Sequence, residues 1–295
     1  MATASPNVPR PFTVIGGFLG VGKTTLVNNI LSQSEGTRYA VLVNDFGAVN
    51  IDADLIASHD GQTMALTNGC ICCSLADGFV QTMLRLMQDP SAFDHVIVEA
   101  SGVAQPSRIM DFARLDPVLD PDAIVTLVDA ETVRDRLVDP LIADAVTAQI
   151  ATADIMVVNK VDLAGAEKVA QADNTIAEIN PDAPRLRAAH ADLPLTVLLG
   201  ATGSAEGKPN LPDDAKFQTE VIRREDPIDR AAFDTWAETL DPAVLRGKGF
   251  VHFAGDARAH IWQRVGQRMT LTEADEIRET ELVLISTQPI SDADF

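Results

Sequence analysis

Within one stretch of eight residues, Gly17-Phe18-Leu19-Gly20-Val21-Gly22-Lys23-Thr24, the chain gathers three glycines, an ammonium and a hydroxyl. That spacing suits phosphate chemistry. Glycine lets successive backbone N–H groups close on phosphate oxygens, and a helix starting at the end of the loop adds the positive end of its dipole. Lys23 would reach the β and γ oxygens, and Thr24 would offer its hydroxyl to Mg²⁺. The binding set expected here is Gly17, Gly20, Val21, Gly22, Lys23, Thr24 and Thr25. Its context fits, because residues 12–16 read as a buried strand and residues 24–31 as a helix.

A second cluster follows the apolar run of residues 153–158, in Asn159-Lys160-Val161-Asp162. An ionised Asp162 only accepts hydrogen bonds, so it can take them from the ring N–H and exocyclic amine that guanine displays and adenine lacks. The stem of Lys160 can lie along the base. Taken alone, these four residues also fit a solvated turn between strand and helix, and it is their position after a strand and after a phosphate loop that favours guanine. Between the two clusters, Val96 to Glu99 is an apolar strand ending in an acid. Glu99 is placed to hold Mg²⁺ directly or through water, although a surface carboxylate at an ordinary strand end would read the same way. The segment Asn44-Asp45-Phe46-Gly47 lies where a γ-phosphate-responsive loop would sit; a plain polar connection is the alternative. Lys23, Asp45 and Glu99 are the candidate catalytic residues.

All three cysteines fall in Cys70-Ile71-Cys72-Cys73. Adjacent cysteines rarely present disulfide geometry, and the chain has no fourth. Three thiolates suit a borderline-soft ion such as Zn²⁺ or Co²⁺ in a tetrahedral shell, with one position left for a carboxylate, histidine, water or exchange partner. A buried thiol cluster or a redox pair remain the alternatives.

These groups need a scaffold. Apolar runs at residues 39–43, 96–99, 123–128 and 153–158 are continuous, as strands covered on both faces are. Alternating with helical stretches up to about residue 200, they predict an α/β fold with a doubly wound, mostly parallel sheet and the phosphate loop at the carboxyl end of its first strand. Residues 200–214 are rich in Gly, Pro and polar side chains, which places a linker at 206–216 between a domain of residues 1–205 and a smaller α+β domain of residues 217–295. In the latter, residues 217–222, 249–253, 259–262 and 282–286 read as strands and residues 227–240 as a helix. The five histidines, His59, His95, His190, His252 and His260, show no helical pairing and read as structural; a metal contact between His252 and His260 is the outside alternative. Trp236 and Trp262 read as core residues.

Composition excludes several classes. With 43 acidic against 23 basic residues, the net charge of −20 repels nucleic acid and anionic lipid. Solubility, or a salt-adapted host, accounts for such a balance. The start of the chain lacks a signal-type apolar core, and no stretch approaches the ~18 apolar residues of a membrane span. A cytoplasmic, soluble protein is expected.

The phosphate loop, Asn44-Asp45-Phe46-Gly47, Asn68-Gly-Cys70-Ile-Cys72-Cys73-Ser74, Glu99-Ala-Ser-Gly-Val-Ala-Gln-Pro106 and Asn159-Lys-Val-Asp-Leu163 occur in an order that resembles the CobW-like branch of the SIMIBI-class GTPases. The resemblance implies a GTP-dependent metallochaperone or metal insertase with Mg²⁺ beside GTP, a cargo metal at the cysteines and a client metalloprotein as partner. A GTP-dependent homodimer is compatible with it. In the family, the segment at Asp45 usually carries a Glu there and a second Glu just after, and acts as a switch touching nucleotide and metal. This chain has the shorter Asp45, then Ala48 in place of the second carboxylate, and Ala100 where Thr is common. The histidine-rich stretch of many relatives is absent. Two other functions fit parts of the sequence: a GTP-regulated metal sensor or store without a client, and a small-molecule kinase, which would have no use for the thiols or the guanine reader.

Overall fold

The computed structural model describes residues 9–33, 36–43, 78–200, 217–274 and 278–290. Asp45, Cys70, Cys72, Cys73, His59 and the expected linker at 206–216 lie outside the described residues. Contacts divide the chain into two units, Met1–Leu193 and Pro194–Phe295.

The first unit is built on six parallel strands: β1 (Arg10–Gly17), β2 (Tyr39–Val43), β3 (His95–Glu99), β4 (Leu119–Asp129), β5 (Ile155–Asn159) and β6 (Arg185–Arg187), in the spatial order β2-β3-β1-β4-β5-β6. Every residue of β2, β3 and β5 is buried. This is why they read as unbroken apolar runs: helices cover both faces, and each buried Val, Ile or Leu contributes about 1.5–3 kcal/mol. One face packs Phe12, Val14, Val96 and Val98 against Phe79, Met83 and Leu86 of α2 (Gly78–Leu86) and Ile109, Met110 and Ala113 of α3 (Pro106–Leu115). A second cluster sets Val128, Met156 and Val158 against α4 (Val133–Val138), α5 (Ala143–Ala151) and α6 (Val161–Ile179). Helix α1 (Lys23–Ser32) buries Leu26, Val27, Ile30 and Leu31. The chain leaves β1 in one direction to reach β2 and later crosses β1 from β3 to β4, so the carboxyl end of β1 is a topological switch point, where open α/β sheets hold ligands.

The second unit is a five-stranded antiparallel sheet with strand order β10-β9-β8-β11-β7, formed by β7 (Gln218–Arg224), β8 (Val244–Val251), β9 (His260–Val265), β10 (Arg268–Glu273) and β11 (Thr280–Ser286). Its short helix α7 (Leu195–Leu199) precedes the Gly/Pro-rich stretch. It belongs to this unit because the buried Arg246 of β8 donates to the carbonyls of Val197 (2.9 Å) and Leu198. Helix α8 (Arg230–Thr239) lays Phe233 and Trp236 against Trp262. Trp262 is 2% exposed, a core residue as expected. The buried Arg264 donates to the carbonyls of Ala237 and Leu240 at the carboxyl end of α8, and burial pushes its pKa down.

Candidate functional site

The loop after β1 has the backbone that phosphate binding requires. Gly17 and Gly22 sit at φ 131° and 106°, and a Cβ there would stand 2.4 Å from the Leu127 carbonyl oxygen and 2.5 Å from Asn159 Nδ2 respectively. Gly22 is also the N-cap of α1, where no side chain accepts from the helix and no acid stands in the first turn. The first turn of α1 therefore opens at the loop, and a helix N-terminus favours anions. Lys23 is 8% exposed and donates to the Phe18 carbonyl at 3.2 Å, which bends its ammonium back over the loop. On the outer side, the Arg136 guanidinium lies 5.1 Å from the centre of the Phe18 ring; burial lowers its pKa and Asp129 opposes that shift.

Strand β3 brings Glu99 to the same edge. Its carboxylate Oε1 accepts from the Thr24 hydroxyl at 2.8 Å across 75 residues of sequence, and Glu99 is 2% exposed. Two hard oxygen donors side by side, one anionic, fit Mg²⁺. An ion there would be held by a Thr24 oxygen lone pair and the Glu99 carboxylate, the Thr24 hydroxyl keeping its own proton and pointing it at Glu99. The ion would offset phosphate charge.

At the end of β5, Asn159 is 2% exposed and central to the local hydrogen bonding. Its Nδ2 donates to the Val21 carbonyl and its Oδ1 accepts from the Ala191 N–H, both at 2.8 Å, so it ties the phosphate loop to the loop after β6. Lys160 adopts a left-handed backbone (φ 61°) and places its Nζ 2.9 Å from Asp129 Oδ2. Asp162 follows in the first turn of α6, and the His190 ring stands 3.6 Å from its Oδ2. Asn29 of α1 donates to the carbonyls of His190 and Ala191. The phosphate loop, Thr24, Glu99, Asn159, Lys160 and Asp162 are thus brought to one end of the sheet, with Thr25 exposed beside them.

The sequence pattern does not single out Asp129, Asn29 or Gln149. Asp129 carries the signal that singled out Glu99, an acid ending an apolar strand. His190, read as a structural histidine, has a side chain that is 83% exposed and borders Asp162. His95 matches that expectation, fully buried with Nε2 2.8 Å from Thr13 Oγ1. In the second unit both His252 and His260 address Asp256, at its backbone oxygen (3.2 Å) and its carboxylate (3.7 Å). Among the described residues no group of three or more His, Cys, Asp or Glu is arranged to hold a metal, and no described helix is long and apolar enough to cross a membrane.

A parallel sheet with a glycine-rich loop leading into α1, and an acid from the neighbouring strand on the loop's Thr24, defines a P-loop nucleotide-binding protein. Residues 11–187 match the model of the CobW/HypB/UreG nucleotide-binding domain, and residues 217–293 that of the cobalamin synthesis protein CobW C-terminal domain. The chain belongs to the CobW/HypB/UreG family. It is 30% identical to the zinc chaperone CobW of a Sinorhizobium species, over 99% of this chain and 97% of that one. To the zinc chaperone YjiA of Escherichia coli it is also 30% identical, over 95% of each chain. The crystal structure of the Zn(II)-bound YjiA GTPase from E. coli is similar over 95% of this chain and 94% of that one, at 24% identity and a TM-score of 0.48.

Proposed function

We propose that this chain is a GTP-binding and GTP-hydrolysing metallochaperone of the cytoplasm. It holds a transition metal at Cys70, Cys72 and Cys73 and hands it to a client metalloprotein under control of the nucleotide. The observation that carries the nucleotide half is the Asn159 side chain bonded to Val21, which sets the Lys160–Asp162 segment beside a phosphate loop whose Thr24 already contacts Glu99. The metal half is supported by three clustered thiols and by two full-length relatives named zinc chaperones, which favours zinc over cobalt.

In this reading Lys23 and the loop amides bind the phosphates, Thr24 and Glu99 take Mg²⁺, and Asp162 selects guanine. The Asp45 segment responds to the γ-phosphate, ordering around GTP and loosening on hydrolysis, so that the thiolate site changes with the nucleotide. Affinity coupling is reciprocal: if GTP tightens metal binding, metal tightens GTP binding by the same factor. Hydrolysis is slow without a client, since Ala48 supplies no second carboxylate.

Base selection tests the nucleotide half. Asp162→Asn exchanges an acceptor for a group that also donates, so GTP binding should fall at least about 100-fold while xanthosine triphosphate, with a carbonyl where guanine has its amine, gains. Unchanged preference for GTP would remove Asp162 from the base site and the guanine reading with it.

A further inference from the structure

We infer that Gln149, in α5, is a positioning residue for the γ-phosphate side of the site, holding the turn that follows Glu99 against the phosphate loop. The inference rests on the nucleotide reading above and deepens it. Gln149 is 1% exposed although it is an uncharged polar residue on a helix. Its single amide nitrogen donates to two carbonyls of that turn, Gly102 (3.1 Å) and Ala104 (2.9 Å). Its backbone carbonyl accepts from the Thr126 hydroxyl of β4 at 3.3 Å, which fastens this part of α5 to the sheet.

The turn it holds is squeezed from the other side by the loop. A Cβ at Gly102 would lie 2.5 Å from Leu19 Cδ2 and 2.8 Å from the Leu19 backbone nitrogen, so the Gly102 backbone rests directly on the phosphate loop. Upstream, the Ala100 N–H donates to the Ile15 carbonyl at 2.9 Å, and Ala104 closes the turn onto the Ser101 carbonyl at 3.0 Å. Residues 101–104 are therefore clamped between Leu19 and Gln149, immediately after the carboxylate that contacts Thr24. In the nucleotide reading, Glu99 and Thr24 would hold Mg²⁺ at the end of the nucleotide where the terminal phosphate would lie and where GDP would end short. A shift of this turn reaches the γ-phosphate first and the shared phosphates least.

Side-chain chemistry makes the role specific to glutamine. Both carbonyls need a hydrogen, and a primary amide carries two on one nitrogen. Methionine fills the same volume with none, and a glutamate carboxylate would confront two carbonyl oxygens with negative charge.

The full-length wild type, Gln149→Met and Gln149→Glu are titrated with Mg²⁺-GDP and with a non-hydrolysable Mg²⁺-GTP analogue, and GTP turnover is measured. GDP affinity should stay within about twofold in both variants. The preference for the GTP analogue over GDP and the turnover number should each fall about tenfold in Gln149→Met, more in Gln149→Glu, as misplacement of a site-forming segment entails. Hydrogen exchange of residues 101–104 in the wild type, which needs no variant to fold, should slow with the GTP analogue and not with GDP. Variants that melt earlier yet keep the wild-type ratio between the two nucleotides would make Gln149 merely structural and overturn the inference. So would equal exchange with either nucleotide. A wild type that binds neither nucleotide would overturn the nucleotide reading itself, and this inference with it.

Discussion

Replacing Asn159 by alanine should uncouple the two halves of the nucleotide site. The side chain is buried, donates to Val21 and accepts from Ala191, so the substitution leaves a loop carbonyl and a backbone amide without partners. Each such buried group costs about 1–3 kcal/mol. The sum is about 2–6 kcal/mol, divided between stability and nucleotide affinity. If only about 2 kcal/mol falls on binding, affinity for Mg²⁺-GDP drops about 30-fold, at about 1.4 kcal/mol per factor of ten. Asn159→Asp is the informative partner: it keeps an acceptor for Ala191 but turns a carboxylate toward the Val21 carbonyl. Calorimetric titration with Mg²⁺-GDP should therefore show a loss in both variants. Hydrogen exchange at the Ala191 amide should accelerate in Asn159→Ala and stay slow in Asn159→Asp. Wild-type exchange at Ala191 in the alanine variant, with a loss of affinity under about threefold, would refute the bridging role.

Three further outcomes follow from the same geometry. Glu99→Gln removes the anionic oxygen beside Thr24 and should weaken Mg²⁺ binding in the nucleotide complex about 10- to 100-fold, with GTP turnover falling in step, as read by Mg²⁺ titration of the rate. Tyr39 is the only tyrosine in the chain, and burial pushes its pKa up to about 12, so phenolate absorbance in the folded protein should titrate near 12 and in urea near the ordinary value of about 10. Because the unfolded chain ionises first, this tyrosine's contribution, full below pH ~10, is lost as pH rises toward 12, up to about 3 kcal/mol; a folded-state midpoint near 10 would contradict its burial. The hydrogen bonds from Arg38 hold the Asp94 carboxyl below the usual carboxylate range, so its contribution is present above the unfolded value of about 4 and lost as pH falls through the folded value. Asp94→Asn should lower stability by up to about 1 kcal/mol at pH 7, solvent screening reducing the pair's worth, and the gap to the wild type should close in acid when denaturation is followed across pH.

The central strands and the phosphate loop were legible because their signals are local. A fully buried parallel strand reads as an unbroken apolar run, and the glycine and lysine spacing of residues 17–24 is bound to one backbone shape. The Asn159–Asp162 segment was legible for a different reason, its order after that loop. Strand β10 was not, because Arg268-Met-Thr-Leu-Thr-Glu273 is an edge strand with an exposed polar face, and its alternation is weak. The start of β8 was hidden by Arg246, a charged residue that is buried because it satisfies the α7 carbonyls, a contact 48–49 residues away in sequence. The contacts of His190, Asp129 and Gln149 were hidden the same way: loops and helices distant in sequence meet at this end of the sheet, and composition carries no trace of such a meeting. Helix α6 held a local surprise as well, since Gly165 breaks its helical backbone at φ 71°, ψ 161° just beyond Asp162.

In the proposed function the nucleotide state governs a thiolate metal site. An anaerobic Co²⁺ titration of the metal-free protein in Mg²⁺-GTP analogue and in Mg²⁺-GDP, read by thiolate-to-metal absorption with Cys72→Ala as the control, tests it most directly. One tetrahedral thiolate site is expected, tighter with the GTP analogue than with GDP and lost in Cys72→Ala. Equal Co²⁺ affinity in the two nucleotide states, or no thiolate band in either, would contradict it.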